Sequence, residues 1–427
     1  MRNLLKTRQG AGAGSLYIGL SFVGAGALTF AFQGISMRAL GGPAGYAPVA
    51  LLWNATFLVV QVLWVAATQT LGRHVAEREA RGEDWSPVVS SVMRWQAGLL
   101  VLFLVAATLL FPLLTAEVFG DPWLTAAFVA AVALYAPEYF RRGIFNGHRQ
   151  STRMGAQILA EASSRVALAV GLLAAGLGAA GPALAIMLAP VVGVLAVRPA
   201  RVPRPAKPGE PFSAGKALRF AAPVLACMAS AQTLASGGVI LVGLLGGTGA
   251  QVGLFGAALI FTRIPQYVLS PVIGALLPHA SRTLSLGGRG ALDRFTLRAV
   301  GGVGAAGVLM VAGAWLFGEW GLKVFGGSRF EAEADLLAAL AALAAFYLLS
   351  ETLTQALFAL GRARLAAAGW AVGLAVAGVC LPLLTAEVVE KVAYSLALGA
   401  LAAALAQSAF YLTARNRLSS VTGSPGP

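Results

Sequence analysis

Twelve stretches of this chain are each long and apolar enough to cross a hydrocarbon layer, and few folds accommodate that. A crossing helix needs about 20 apolar residues. In lipid only helices and closed barrels satisfy their own backbone groups. The runs are Ser15–Met37, Ala47–Leu71, Val92–Thr115, Trp123–Phe145, Met154–Leu177, Ala179–Val197, Leu218–Leu245, Val252–Pro278, Phe295–Phe317, Ala334–Ala359, Leu365–Leu384 and Val392–Ala414. Only 11% of the residues are charged, against about 25% in a soluble chain. An all-α, polytopic membrane protein of about twelve spans follows. The basic start, Met1–Gln9, leads into a long apolar run without a small-residue cleavage motif, which predicts a retained first span and not a signal peptide.

The charges orient the spans. Of the 31 basic residues, Arg38, Lys323, Arg329 and Lys391 fall in the segments on one side and Arg94, Arg165 and Arg263 within spans; the rest collect on the other side. Lys and Arg gather in cytoplasmic loops, so both termini are expected in the cytoplasm, with the protein in the cytoplasmic (inner) membrane. That bias also accounts for the net charge of +14 without a nucleic-acid partner. Cys227 and Cys380 lie in apolar runs and predict neither a disulfide nor a metal site, and His74, His148 and His279 stand in separate loops with no ligand spacing.

The chain also reads as two halves. A Pro- and Arg-rich stretch, Arg198–Lys216, separates six spans from six. The expected divisions are a six-helix lobe over residues 1–197, a cytoplasmic linker over 198–217, a second lobe over 218–414 and a loose cytoplasmic tail over 415–427. Segments echo across the divide: Leu40–Leu52 with Leu245–Ala257, Glu117–Trp123 with Lys323–Phe330, and Arg142–Arg149 with Ala356–Ala363. A repeated unit with an even number of spans keeps its orientation, so the copies are related by an axis along the membrane normal.

One span carries the strongest functional signal. Leu254–His279 holds Arg263 near its middle and is interrupted by Pro265 and Pro271. A cation at membrane depth is retained where it faces water, a partner or a substrate. Guanidinium suits a phosphate, since it stays charged and forks onto oxygen pairs. Arg263 is the principal candidate for binding substrate, with Arg165, Gln266 and Asn54 beside it. Glu161 and Arg165, four apart, share a helix face and can pair. Glu138 and Glu351 stand at similar depth in the two halves; with Glu161 they are candidates for a counter-ion or for carrying a coupling proton. Gln33, Gln232 and Gln355 fit helix–helix hydrogen bonds. The tryptophans, Trp64 and Trp370 among them, are expected as interfacial anchors.

Three stretches give the chain a family resemblance: Arg263-Ile264-Pro265 leading to Leu276–His279, the fourth span's exit Arg141–Arg149, and the tenth span's exit Gln355–Ala366. With the span count and linker position they resemble the multidrug/oligosaccharidyl-lipid/polysaccharide (MOP) flippase superfamily, in its bacterial polysaccharide-export and lipid II flippase branches. The resemblance implies two pseudo-symmetric six-helix lobes around a central cavity that opens alternately to each side. It also implies outward movement of a saccharide linked to a polyprenyl phosphate or pyrophosphate, with Arg263 in the cavity. Lipid II flippases carry further cavity arginines in the first two spans. Here the second span offers Asn54 and Gln61, which favours a more general lipid-linked oligosaccharide.

The implied partners are that substrate, the bilayer, H+ or Na+ as coupling ion, and proteins of polysaccharide assembly; no cofactor is implied. The alternative of the same fold is a cation-coupled multidrug antiporter, which usually carries a carboxylate on the first span; Ser15–Met37 has none. An enzyme would need an outer loop with a catalytic scaffold. The longest, Gly318–Asp335, offers Glu319, Glu331, Glu333 and Asp335 without one, so no enzymatic activity is expected.

Overall fold

The computed structural model describes residues 2–205, 207–209, 212, 214–274 and 276–421, with side chains over 17–205, 207–209, 212, 215, 222–270, 273, 276 and 290–415. The helices are α1 (Arg2–Ala39), α2 (Pro43–Ala80), α3 (Ser86–Leu109), α4 (Phe111–Leu114), α5 (Pro122–Gly147), α6 (Ser151–Ala174), α7 (Ala180–Ala196), α8 (Ala214–Ser236), α9 (Gly238–Leu244), α10 (Gly249–Thr262), α11 (Ile264–Gly274), α12 (Leu276–Gly326), α13 (Ala334–Ala359), α14 (Ala363–Leu383) and α15 (Val388–Val421). Among the described residues, strand pairing is confined to one isolated parallel bridge, Glu83 to Lys207. Nine helices are long and apolar enough to cross a membrane alone, and two bent pairs, α8–α9 and α10–α11, can each form one span. With the shorter apolar helix α7, every expected span has its helix.

Several boundaries differ from expectation, for backbone reasons. The third expected span does not run through to Thr115. α3 stops at Leu109, Pro112 occupies the first turn of α4, and Thr115–Phe119 winds as a π-helical turn closed by left-handed Gly120. Proline lacks the N–H that would continue the ladder. In the eighth expected span the break falls at Arg263, with Pro265 in the first turn of α11, where a missing N–H is tolerated. The loop expected after Pro278 is helical: α12 runs 51 residues without interruption. The side chains of Pro271, Pro278, His279, Lys216, Arg219, Arg282 and Arg289 lie outside the described residues. Backbone helix also continues through Val421 in the stretch expected to be a loose tail.

The chain forms two compact units, Met1–Gly41 with Gly45–Leu225, and Gly42–Ala44 with Ala226–Pro427. In the first, α6 packs on α1 and α7, and α5 on α7. Lipid is as apolar as leucine, so such packing relies on close approach and hydrogen bonds. Gly143 and Gly147, one turn apart on α5, supply the approach: a Cβ at Gly147 would stand 2.6 Å from Val75 Cβ, and one at Gly143 3.0 Å from Leu71 Cβ. Trp64 donates to the Val132 carbonyl at 3.0 Å and Thr68 to that of Tyr139 at 2.8 Å. Gln33 accepts from Tyr46 at 2.8 Å, joining α1 to α2.

In the second unit α13 packs on α12 and α15, and α14 on α15. There Trp370 donates to Thr354 at 2.9 Å, and Thr354 lies 3.1 Å from Gln407. Trp64 and Trp370 are therefore buried hydrogen-bonding side chains and not interfacial anchors, whereas Trp123, Trp315 and Trp320 are exposed.

The stretch after α7 lies along the first unit. Gln150 exchanges two hydrogen bonds with Ala200, and Arg153 donates to the Arg198 carbonyl. Asp84 N donates to Lys207 O at 2.9 Å, and Lys207 pairs with Glu83 at 3.3 Å. The Phe212 ring stands 5.0 Å from that of His74.

Candidate functional site

Each unit holds buried charge, arranged differently. In the first, Glu138 and Arg142 lie four apart on α5, and Glu161 and Arg165 four apart on α6, so each pair shares a helix face. The Arg142 guanidinium bridges them, 2.7 Å from Glu138 and 2.7 Å from Glu161. The other Glu161 oxygen accepts from Arg165 and, at 2.8 Å, from the Tyr135 hydroxyl. Aromatic faces complete the enclosure. The Arg165 guanidinium carbon lies 5.1 Å from the Trp53 ring centre and 5.6 Å from that of Phe57, and Arg142 lies 4.6 Å from that of Tyr139. α7 closes over the carboxylates at Gly193, where a Cβ would stand 3.1 Å from Glu161 Cβ and 3.3 Å from a Glu138 oxygen.

Two cations and two anions thus cancel locally. Glu138, Glu161 and Arg165 are all buried. Sequence spacing identifies the Glu161–Arg165 pair, whereas Arg142, beside Arg141 at the exit of the fourth span, reads as one of the basic residues of the adjoining loop. Its distance of four from Glu138 was the available signal. Asn54, also buried, donates to the Ala50 carbonyl of its own helix at 2.9 Å and stands outside the network.

The second unit separates its charges. Arg263 caps the C-terminus of α10, where α10 and α11 meet at a bend of 43°. Its backbone is engaged: Arg263 N donates to Ile260 O at 3.2 Å, and Tyr267 N to Arg263 O at 3.2 Å. Its side chain is 7% exposed, and Nε has no hydrogen-bond partner among the described residues. Gln266 Oε1 and one oxygen of Glu351 are likewise buried and unpartnered. Glu351 is half-buried as a whole. Tyr347 lies within electrostatic range of Arg263, Glu351, Tyr267 and Cys227. Among the described residues Arg263 and Glu351 form no ion pair, and no group of three His, Cys, Asp or Glu could hold a metal ion.

The sequence-nominated residues therefore fall into sets within their units: Glu138, Glu161 and Arg165 in one closed network, Arg263 and Gln266 at the bend, and Glu351 on α13. A guanidinium held at a helix break with an open donor can take a phosphate or carboxylate oxygen; one already bonded to a carboxylate cannot do so without breaking that pair.

Helices long and apolar enough to cross a membrane, together with two bent pairs, define a polytopic membrane protein. A solved inward-facing structure of a multidrug resistance MATE family transporter of the MOP superfamily is 17% identical, covers 93% of this chain and 96% of its own, and has a TM-score of 0.71. A MATE structure in its bent conformation is 15% identical over 97% of each chain, with a TM-score of 0.66. A MOP superfamily transporter from Pyrococcus furiosus, described as having a binding pocket of reversed polarity, is 14% identical over 96% of each chain, with a TM-score of 0.62. No curated protein sequence matches significantly. The family model described as polysaccharide biosynthesis protein matches residues 12–284, and the chain belongs to that family.

Proposed function

We propose that the protein is a flippase that moves a polyprenyl-(pyro)phosphate-linked oligosaccharide outward across the cytoplasmic membrane by alternating access. Arg263 binds the phosphate and Gln266 a neighbouring oxygen. The observation that carries this reading is Arg263 itself, a buried guanidinium at a helix break without an anionic partner among the described residues. Uncompensated charge at such depth costs several kcal/mol, and a phosphate arriving from the membrane supplies the missing counter-charge. Arg165, nominated from sequence for the same task, is ion-paired with Glu161, and the Asn54 amide donates within its own helix. They serve the scaffold in this reading. Glu351, half-buried with one free oxygen, carries the coupling ion, H+ or Na+.

The test is export of a fluorescent lipid-linked saccharide from vesicles holding the purified protein. Arg263→Ala abolishes export while the protein still inserts. Arg263→Lys restores only part of it, because a point charge replaces a fork. Wild-type export by both variants refutes the assignment.

A second reading is a cation-coupled multidrug antiporter, favoured by the MATE transporters that share the fold. Drug efflux, with surface polysaccharide unchanged on deletion, would select it.

A further inference from the structure

A cleft on the outside of the first unit fits no part of that transport reading. It has two adjacent sections that share the lining residues Ile144 and Pro199. One, of about 460 Å³, runs between α3 and α5 and is lined by Met93, Gln96, Ala97, Leu100, Pro137 and Phe140. The other, of about 630 Å³, opens where the post-α7 stretch lies over the unit, and is lined by Trp85, His148 and Arg201. From Ser86 to Leu100, α3 rises about 20 Å, so the apolar section reaches well into the hydrocarbon layer.

Charge differs sharply between its two ends. Arg141 lines the apolar section, its guanidinium donating to the Val194 and Val197 carbonyls. At the mouth Arg201 is exposed, and Arg204 lies 5.9 Å from the Trp85 ring centre. Among the described residues two acids stand near the mouth: Glu79 is 3.0 Å from His148, and Asp84, next to Trp85, accepts from the Ser86 N–H and hydroxyl. At the deep end, Gln96 is buried, its Oε1 without a partner among the described residues and its amide donating to Ala136 O. Beyond Leu100, α3 exposes Val101, Leu102, Leu104, Val105 and Leu109. A headgroup seated at the mouth meets no polar path onward along this face, so the occupant stays in its own leaflet.

We infer that this cleft holds a resident anionic glycerophospholipid, with its phosphate at Arg201 and Arg204 and one acyl chain between α3 and α5. The lipid is a fixture and not cargo, and it fastens the post-α7 stretch to the unit through Pro199. Hydrocarbon in the apolar section supplies affinity without selectivity, because the bilayer offers the same surroundings; the arginines supply the preference for an anion.

The test is native mass spectrometry of the purified full-length protein, delipidated and titrated with phosphatidylglycerol or phosphatidylcholine. One phosphatidylglycerol is retained per chain, about tenfold more tightly than phosphatidylcholine, a difference of about 1.4 kcal/mol. Ala97→Trp, which fills the apolar section, and Arg201→Glu, which reverses the mouth, each remove that retention with helicity unchanged. Arg201→Glu alters an exposed side chain, so it reports even if Ala97→Trp does not fold. Excess inorganic phosphate does not displace the lipid. Equal retention of the two lipids, or wild-type retention by Arg201→Glu, overturns the inference. So does stoichiometric displacement of phosphatidylglycerol by undecaprenyl phosphate, which would give the cleft to the cargo. Because this readout needs no transport, it stands or falls separately from the Arg263 export assay.

Discussion

The first unit joins Arg142, Arg165, Glu138 and Glu161 through ion pairs; the second holds buried Arg263 and half-buried Glu351 without joining them. Both arrangements place ionised groups where water is scarce, yet they call for different explanations. A closed set of pairs offsets its own desolvation, and losing one member leaves the others stranded. An unpaired group offsets nothing and persists because something arriving later completes it. Burial alone therefore does not mark a working residue in a membrane protein. Burial without an opposite charge does.

Substitutions can break or sharpen this contrast. The largest effect is expected at the bridge of the closed set. Arg142→Ala leaves Glu138 without a cation and costs about 3–5 kcal/mol, read by denaturant unfolding in detergent. Next comes Gly193→Val, which pushes a side chain into Glu161 and Glu138 and costs about 1–3 kcal/mol, as overpacking does. Arg263→Ala should leave unfolding unchanged or raise its midpoint, since it removes a charge without an ion pair, and Glu351→Gln, which keeps the side chain's shape, should leave it unchanged. Glu351→Gln should also remove the dependence of export on the coupling ion. If Arg263→Ala destabilises as much as Arg142→Ala, the distinction between the units fails.

The smallest effect lies outside the membrane. The Ser86 N–H and hydroxyl, 2.9 and 2.8 Å from its carboxylate oxygens, hold Asp84 below the usual carboxylate range. A depressed carboxyl contributes stability above its unfolded pKa and loses it as pH falls through its folded value. Asp84→Ala should thus lower the melting temperature slightly at neutral pH, with the gap closing in acid.

Much of this was legible in the residues. Apolar length alone located the helices, because lipid removes nearly every alternative to them. The spacing of Glu161 and Arg165 announced their pairing, and a lone arginine between prolines marked Arg263. What escaped depended on tertiary neighbours. Arg142 looked like one more loop cation because Arg141 stands beside it, although Glu138 and Glu161 draw it into the network. Trp64 and Trp370 resembled interface anchors until Val132 and Thr354 supplied partners. The glycines of Arg141–Arg149 read as a weak family signature, and their use lies in the seat they give Leu71 and Val75. The helix through Leu276–Arg289 was hidden because glycines there suggest a loop, and no local rule overcame that suggestion.

That last helix has a mechanical consequence. α12 is about 75 Å of continuous rod, more than twice the hydrocarbon thickness, and it begins just past α11, the short arm hinged at Arg263. A stiff lever enlarges at its far end whatever tilt occurs at its embedded part. Any such tilt would be enlarged tens of ångströms away, where a pair of spin labels could follow it.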